Sequence, residues 1–390
     1  MVKNNNFISL YRRKMEKIIY IGYYNSLKNN QKRNIVLAAT NKMNYIIETL
    51  DKKFQVTVLS VSESRSNRSY PLTEEKLFNN SQLILLSTKK FGNVIQRVIQ
   101  RILIRISLIK YILKNTDENT KVIVYHSLGY LETIKFLKKI KKFNLILEVE
   151  EIYADVIGNK KIREKEIEFF KNADSFIFPT ELLDKEINKK NKPYVIIHGT
   201  YKVEEQKSSK FRDKDGKIHI VYAGTFDPRK GGGVAAAAAA EFLNENYHIH
   251  ILGFGSQEET NNIKKIILEI SKKTKCTITY DGLKSGDEYI RFIQSCDIGL
   301  STQNPNADFN GTSFPSKILS YMSNGLRVVS IDIPAIKSSD IGDYMYYYKK
   351  QTPEEIAKAI QKVDINDNYD SRKIIYNLDK KFAEELLEIL

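Results

Sequence analysis

Short apolar runs recur along the chain, each followed by a polar turn and a stretch with helical spacing. KIIYIGYY (17–24), FQVTVLSV (54–61), SQLILLST (81–88), KVIVYHSLGY (121–130), NLILEVEEIYADV (144–156), ADSFIFPTELL (173–183) and PYVIIHG (193–199) carry the pattern in the first half. IHIVYAGT (218–225), YHIHILGFGS (247–256), TITYDG (277–282), CDIGLS (296–301) and LRVVSI (326–331) carry it in the second. Strands too apolar to alternate are buried on both faces, as in parallel sheets covered by helices. The alternation therefore specifies an α/β class. It breaks at TYKVEEQKSSKFRDKDGK (200–217), which is almost wholly polar. A chain of 390 residues is also long for one core. We expect two domains, 1–200 and 218–370, joined by a linker at 201–217. A C-terminal helix at 371–390 is expected to pack back on the first domain.

Composition narrows the function classes. Formal net charge is +15, which calls for an anionic partner: nucleotide, acidic lipid or nucleic acid. Nucleic acid is disfavoured, because the chain has no zinc-ligand spacing, RNA-binding sheet signature or repeat. Cys276 and Cys296 sit in packed-element contexts, which fits a reducing compartment. No apolar run approaches the ~20 residues of a membrane span. The expectation is a cytoplasmic protein, peripheral on the inner face of the cell membrane if it meets lipid.

Residues 91–114, FGNVIQRVIQRILIRISLIKYILK, bear on that point. Arg97, Arg101 and Arg105 recur at helical spacing, Lys110 and Lys114 follow, and no acid interrupts them. Most other positions are Ile, Val or Leu. Such a helix suits an anionic membrane surface; it equally suits packing on a sheet with a solvated basic edge. Gly22 lies past the first strand, where backbone can approach a ligand. His126 follows the strand at 121–125, at the edge where α/β sheets bind ligands. It is a hydrogen-bond donor or a proton carrier there, or a structural ring serving loop carbonyls. Glu150 and Glu151 end the next strand. They are candidates to take a proton from an acceptor hydroxyl, or to face solvent.

In the second half, GTFDPRKGGG (224–233) is a Gly-rich turn between strand and helix. Its glycines expose N–H groups to an anion, and Arg229 and Lys230 add charge. Gly253, Gly255 and Gly282 follow strand ends and leave room for a base or ribose. His248 and His250 share a strand face; a metal there needs further ligands that the sequence does not place. The stretch TSFPSKILSYMSNGLRVVSID (312–332) reads as loop, helix, turn and strand. Thr312 or Ser313 is the expected cap and Pro315 suits the first turn. Lys317 near a helix start is unfavourable unless an anion sits there.

Over nearly its whole length the chain resembles retaining glycosyltransferases with two Rossmann-like domains facing across a cleft, the GT-B type, of the group 1 or family 4 kind. The resemblance rests on GTFDPRKGG (224–232), YDGLKSGDEYIRFIQSCDIGLS (280–301) and the FPSK–Y–G pattern at 314–325, a variant of the surface-polysaccharide subgroup. It implies a nucleoside diphosphate sugar donor, UDP- or GDP-linked, and a glycan or lipid-linked acceptor, with no metal or other cofactor. Lys230 and Lys317 take the places of phosphate-contacting lysines, and His126 that of a histidine near the transferring sugar. Gly224, Thr225, Arg229, Gly231, Thr312, Ser313, Phe314, Pro315, Ser316 and Ser320 fall in the donor motifs. Thr225 stands where the family often has Arg. Thr312 and Ser320 stand where many members have carboxylates, the second of which holds the ribose. A non-catalytic nucleotide-sugar binder and a nucleotide-sugar epimerase on the same scaffold are the alternatives.

Overall fold

The structure is a computed structural model. It describes residues 15–26, 28–90, 92–227, 232–303 and 314–390. The first elements are β1 (Lys17–Gly22), α1 (Leu37–Asp51), β2 (Gln55–Ser60), β3 (Thr73–Lys76), β4 (Ser81–Leu85), α2 (Val94–Asn115) and β5 (Lys121–Tyr125). There follow α3 (Leu131–Lys141), β6 (Asn144–Glu148), α4 (Tyr153–Ile157), α5 (Lys160–Phe170), β7 (Ser175–Phe178), α6 (Glu181–Ile187) and β8 (Tyr194–Ile196). These strands form an eight-stranded sheet in the order β3-β4-β2-β1-β5-β6-β7-β8. The pairs β1–β2, β1–β5, β2–β4 and β5–β6 are parallel, and β3 is antiparallel to β4.

The second series is α7 (Arg212–Asp215), β9 (Ile218–Thr225), α8 (Gly233–Ala238), β10 (Tyr247–Phe254), α9 (Gln257–Ser271), β11 (Thr277–Gly282) and α10 (Gly286–Ser295). Then come β12 (Ile298–Ser301), α11 (Lys317–Ser323), β13 (Arg327–Ile331), α12 (Pro334–Lys337), β14 (Tyr346–Tyr348), α13 (Pro353–Gln361) and α14 (Ser371–Glu388). A six-stranded sheet has the order β11-β10-β9-β12-β13-β14, with every recorded pair parallel. The chain divides into two compact units, residues 1–148 with 168–174, and residues 149–167 with 175–390.

The expected strands form where apolar runs are buried on both faces. Ile18, Ile19, Tyr20 and Ile21 of β1 are all buried, as are Val122, Ile123 and Val124 of β5. Each such side chain contributes about 1.5–3 kcal/mol on burial. Local chemistry sets the helix ends. Ser256 and Glu259 form a reciprocal capping box that starts α9. Thr180 accepts from Leu183 N–H at the start of α6. Two strands were not anticipated. Strand β3 is TEEK, a charged edge strand with no apolar run to reveal it. Strand β14 is three tyrosines.

The polar stretch before β9 lies along α10. Lys207 N–H donates to Gln294 Oε1 at 2.7 Å, Gln294 Nε2 donates to Glu205 O at 2.7 Å, and Phe211 N–H donates to Ser295 O at 2.8 Å. Helix α14 buries Ile375, Phe382 and Leu386 and contacts α11 and β8.

Candidate functional site

In the second sheet the strand order reverses between β9 and β12. Such a reversal leaves a crevice beyond the strand C-termini, where open α/β sheets bind ligands. Here the crevice is wedged open. Strand β9 pairs with β10 as far as Thr225, but with β12 only at Ile220 and Val221. The buried Tyr321 fills the split: its hydroxyl accepts from Ala223 N–H at 2.9 Å and donates to Leu300 O at 3.3 Å. Those groups would otherwise pair across the two strands. Tyr321 thus holds the fork open while satisfying its polar walls.

Lys317, the first residue of α11, points into this fork. Its Nζ lies 4.4 Å from the centroid of the Tyr222 ring. It lies 3.1 Å from where a Cβ on Gly224 would stand, so a side chain at 224 would crowd the ammonium. Burial pulls the Lys317 pKa down to about 8, and among the described residues no carboxylate opposes that shift. A cation held this way is under-compensated, and an anion entering the fork would restore its charge. Tyr222 donates its hydroxyl to Thr225 O at 2.8 Å, and burial raises its pKa to about 12. It offers Lys317 a neutral ring face, not a counter-charge.

The surrounding backbone is close-packed. A Cβ on Gly232 would collide with the carbonyl of Thr302, whose hydroxyl donates to Gly232 O at 3.0 Å. Gly253 has φ +148°, and a Cβ there would collide with Gly224 O. The structure therefore places Gly224 and Gly253 side by side, as the paired register of β9 and β10 also records. Thr225 accepts Asp227 N–H at 3.1 Å. Gly255 packs against Phe226 and Glu259, and Gly282, with φ +77°, ends β11 facing open space. Ser320 on α11 hydrogen-bonds the Tyr289 hydroxyl at 3.1 Å, so a hydroxyl pair occupies that position. Phe314 is buried against the His198 ring at 4.7 Å, while Pro315 is half-buried and Ser316 exposed. Helix α11 starts at Lys317 with Ser316 at the cap and no side-chain cap bond; Thr312 or Ser313 is therefore not the cap position. Pro315 precedes the cap residue and lies outside the first turn, and its carbonyl accepts Ile318 N–H at 3.0 Å. Arg229, Lys230, Gly231, Thr312 and Ser313 lie outside the described residues.

The first sheet reverses its order between β1 and β5. Gly22 ends β1, and a Cβ there would stand 2.5 Å from Met43 Cε and 3.2 Å from Tyr125 Cβ. Its missing side chain serves close packing. His126 follows β5 and is buried, its ring edge-on to Phe170 at 4.8 Å and its backbone N–H donated to Glu148 O at 2.8 Å. Buried Glu148 accepts the Tyr20 hydroxyl. Glu150 and Glu151 follow β6 and are half-buried.

At the same reversal, a cavity of about 280 Å³ opens beyond β1, β2 and β5. Tyr23, Glu63, Arg101, Arg105 and Ser127 are among its walls. The basic spacing on α2 was legible, but not that it turns two arginines to a cavity. Arg101 pairs with Glu63 at 2.9 Å, and Arg105 donates twice to Gly129 O at 3.1 and 2.7 Å. Helix α2 buries Gln100, Ile104, Leu108 and Ile112. Val98, Ile99, Ile102, Leu103 and Ile106 remain 42–50% exposed. Among the described residues, no helix is long and apolar enough to cross a membrane.

Away from both crevices, His219 joins His248 and His250, with one nitrogen of each ring within 4.8 Å of the others. The outer nitrogens of His219 and His250 face Asp215 at 3.0 Å and Asp281 at 3.1 Å, and His219 Nδ1 meets His250 Nε2 at 2.9 Å. His248 stacks on His250 with centroids 3.9 Å apart. Stacked rings aim their in-plane nitrogens side by side and not at one point, which is the geometry of a packed, hydrogen-bonded cluster.

Comparison with known proteins places these features. Residues 203–381 match the model of the family described as glycosyl transferases group 1. No curated protein matches the chain. Among solved structures, a sucrose-phosphate synthase from Thermosynechococcus elongatus superposes with TM-score 0.66 at 12% identity, over 96% of this chain and 98% of that one. A trehalose-6-phosphate protein from E. coli bound with UDP-2-fluoro glucose gives TM-score 0.65 at 9% identity, over 96% and 98%. An α,α-trehalose-phosphate synthase (UDP-forming) from Burkholderia xenovorans, in complex with glucose-6-phosphate, gives 0.62 at 9%, over 96% and 99%. The chain thus has the GT-B fold of two Rossmann-like domains.

Proposed function

We propose that this protein is a retaining glycosyltransferase. It moves a sugar from a nucleoside diphosphate sugar, UDP- or GDP-linked, to a hydroxyl of a glycan or lipid-linked acceptor. One observation carries the reading: the desolvated Lys317 ammonium beside Gly224 in the β9–β12 fork, with no carboxylate among the described residues to balance it. A diphosphate is the complement of such a cation. The group 1 match over the same segment supports a nucleotide sugar as its source.

In this reading the acceptor oxygen bonds to the anomeric carbon as the bond to the diphosphate breaks. The hydroxyl proton passes to an oxygen of the departing phosphate. Lys317 meets the charge that develops on that phosphate, in a site where few waters compete. We assign Lys230 and Arg229 to the same phosphates, with Gly224, Thr225, Gly231 and Gly253 leaving room for the donor. Ser320 and Tyr289 offer hydroxyls to the ribose. His126 is assigned to the transferring sugar, and Glu150 and Glu151 to the acceptor side. The reading needs no metal. A role in surface polysaccharide, capsule or lipopolysaccharide, rests on the FPSK resemblance at 314–317. Contact with the inner face of the membrane rests on the exposed apolar face of α2.

The test is turnover by the purified chain with a panel of nucleotide sugars and acceptors. Lys317→Ala should lower kcat/KM by roughly 100-fold or more, as loss of one oxyanion donor does. Wild-type turnover by that variant would overturn the assignment. Ser320 favours one rival, a binder without catalysis, because a hydroxyl stands where a carboxylate is usual in the family it resembles. Tight donor binding with no transfer, in the presence of the acceptor, would establish that rival.

A further inference from the structure

The cavity between α2 and the β1–β5 reversal has a charge imbalance that the glycosyl-transfer reading leaves unused. Two guanidinium groups, Arg101 and Arg105, line it against one carboxylate, Glu63; among the described residues no other acid is in its wall. Arg101 spends its Nε on Glu63, and Arg105 spends Nε and one amino group on the Gly129 carbonyl. Each guanidinium has five N–H donors, so both keep donors in hand. Gly129 and Tyr130 in the wall lead directly into α3, an 11-residue helix whose cap residue, Tyr130, supplies no side-chain acceptor. The positive end of that helix therefore opens on the same space. Tyr23 adds a hydroxyl whose pKa burial raises, so it stays a neutral donor. With two guanidinium groups against the one Glu63 carboxylate, the balance in the cavity favours one further negative charge.

What surrounds the cavity indicates what carries that charge. The arginines at 101 and 105 lie on one border of the exposed apolar strip of α2, next to Val98 and Ile102. Lys110 and Lys114 lie on the opposite border. An apolar strip between two basic rows is complementary to an amphiphile with an anionic head.

We propose that this cavity is the acceptor subsite and that it takes a phosphate group of the acceptor, with a lipid chain running out along α2. The inference rests on the glycosyl-transfer reading for the word acceptor; the anion site itself does not. Arg105 and Arg101 grip the phosphate oxygens, the start of α3 supplies backbone N–H groups, and the apolar strip seats in the bilayer. A phosphate on a water-soluble sugar presents the same chemistry to the cavity, and the experiment separates the two sources.

The test is hydrogen exchange on the full chain in four states: alone, with inorganic phosphate, with phosphatidylcholine vesicles, and with phosphatidylcholine vesicles containing phosphatidic acid. Phosphatidic-acid vesicles should protect both the 127–132 backbone and α2, and neutral vesicles neither. Arg105→Gln should raise the half-saturating phosphatidic-acid content roughly tenfold, the usual loss for a charged hydrogen bond. Ile102→Ser with Ile106→Ser, both exposed, should abolish vesicle protection while inorganic phosphate still protects 127–132. Protection by inorganic phosphate without any vesicle effect would overturn the lipid source. No protection of 127–132 in any state, or protection unchanged in Arg105→Gln, would overturn the site. Exchange at 222–226 and 317–323 with added UDP reports the donor fork separately, so failure there would count against the glycosyl-transfer reading alone.

Discussion

Lys317 shows how one residue's placement sets both a function and a pH dependence. Its ordinary pKa of 10.5 falls to about 8 because burial desolvates the ammonium. The folded state thus binds fewer protons than the unfolded state between pH 8 and 10.5. This residue's cost to stability is full below pH 8 and disappears as pH rises through that window. Donor affinity should run the opposite way. It should fall as pH passes 8 and the ammonium loses its proton, a loss absent in Lys317→Ala, checked by calorimetric titration with UDP at fixed ionic strength. His248 carries the second pH prediction. Burial, then His250 and His219, push its pKa down to about 4. Its Nε2 faces Thr279, whose hydroxyl donates to Asp281 at 2.7 Å; the histidine must therefore be the donor in its own bond. A lowered pKa on a base gives stability that is whole above pH 6.5 and lost as pH falls toward 4. His248→Gln keeps a donor toward Thr279. It should flatten the acid limb of the stability curve by about 1–2 kcal/mol, read from urea unfolding at pH 7 and pH 4.5. The alternating histidines were visible in the sequence, but His219 arrives from a different strand, and no local spacing announces it.

At the scale of elements, the fork between β9 and β12 was half legible. The Gly-rich turn and the FPSK helix were both readable as loops at strand ends, because glycine and proline punctuate the pattern. That Tyr321 would hold the fork apart was not, since a tyrosine at helical spacing reads as core. Gly232→Ala tests the tightness of this fork. Its new methyl meets the Thr302 carbonyl, backbone that cannot swing aside. The cost should be about 1–3 kcal/mol of unfolding free energy, with UDP affinity reduced in parallel. Equal stability and equal affinity would show that the turn adapts. Helix α2 was correctly expected as an amphipathic basic helix. The packed reading holds for one face, where Ile104, Leu108 and Ile112 are buried; on the other, Val98, Ile99, Ile102, Leu103 and Ile106 are exposed.

For the whole molecule, the net charge of +15 makes a prediction about association. If charge steers the chain to an anionic bilayer, partition onto phosphatidic-acid vesicles should weaken steeply as salt passes ~0.1 M, where screening acts within about 10 Å. Vesicle flotation measures it, and a salt-independent partition would assign binding to the apolar strip alone. The α/β class and most strand positions could be read directly, because a buried parallel strand is a continuous apolar run and a helix is a spacing; both are properties of neighbours along the chain. So were the candidate loops, which follow strands by necessity. The tertiary structure alone decided the strand orders β3-β4-β2-β1-β5-β6-β7-β8 and β11-β10-β9-β12-β13-β14, and with them the two crevices. It decided too that Lys317 would lose its water beside Tyr222 and that Arg101 and Arg105 would share a cavity with Glu63. Those pairings join residues far apart in sequence. Their energies come from desolvation and close approach, quantities that do not exist until the chain has packed.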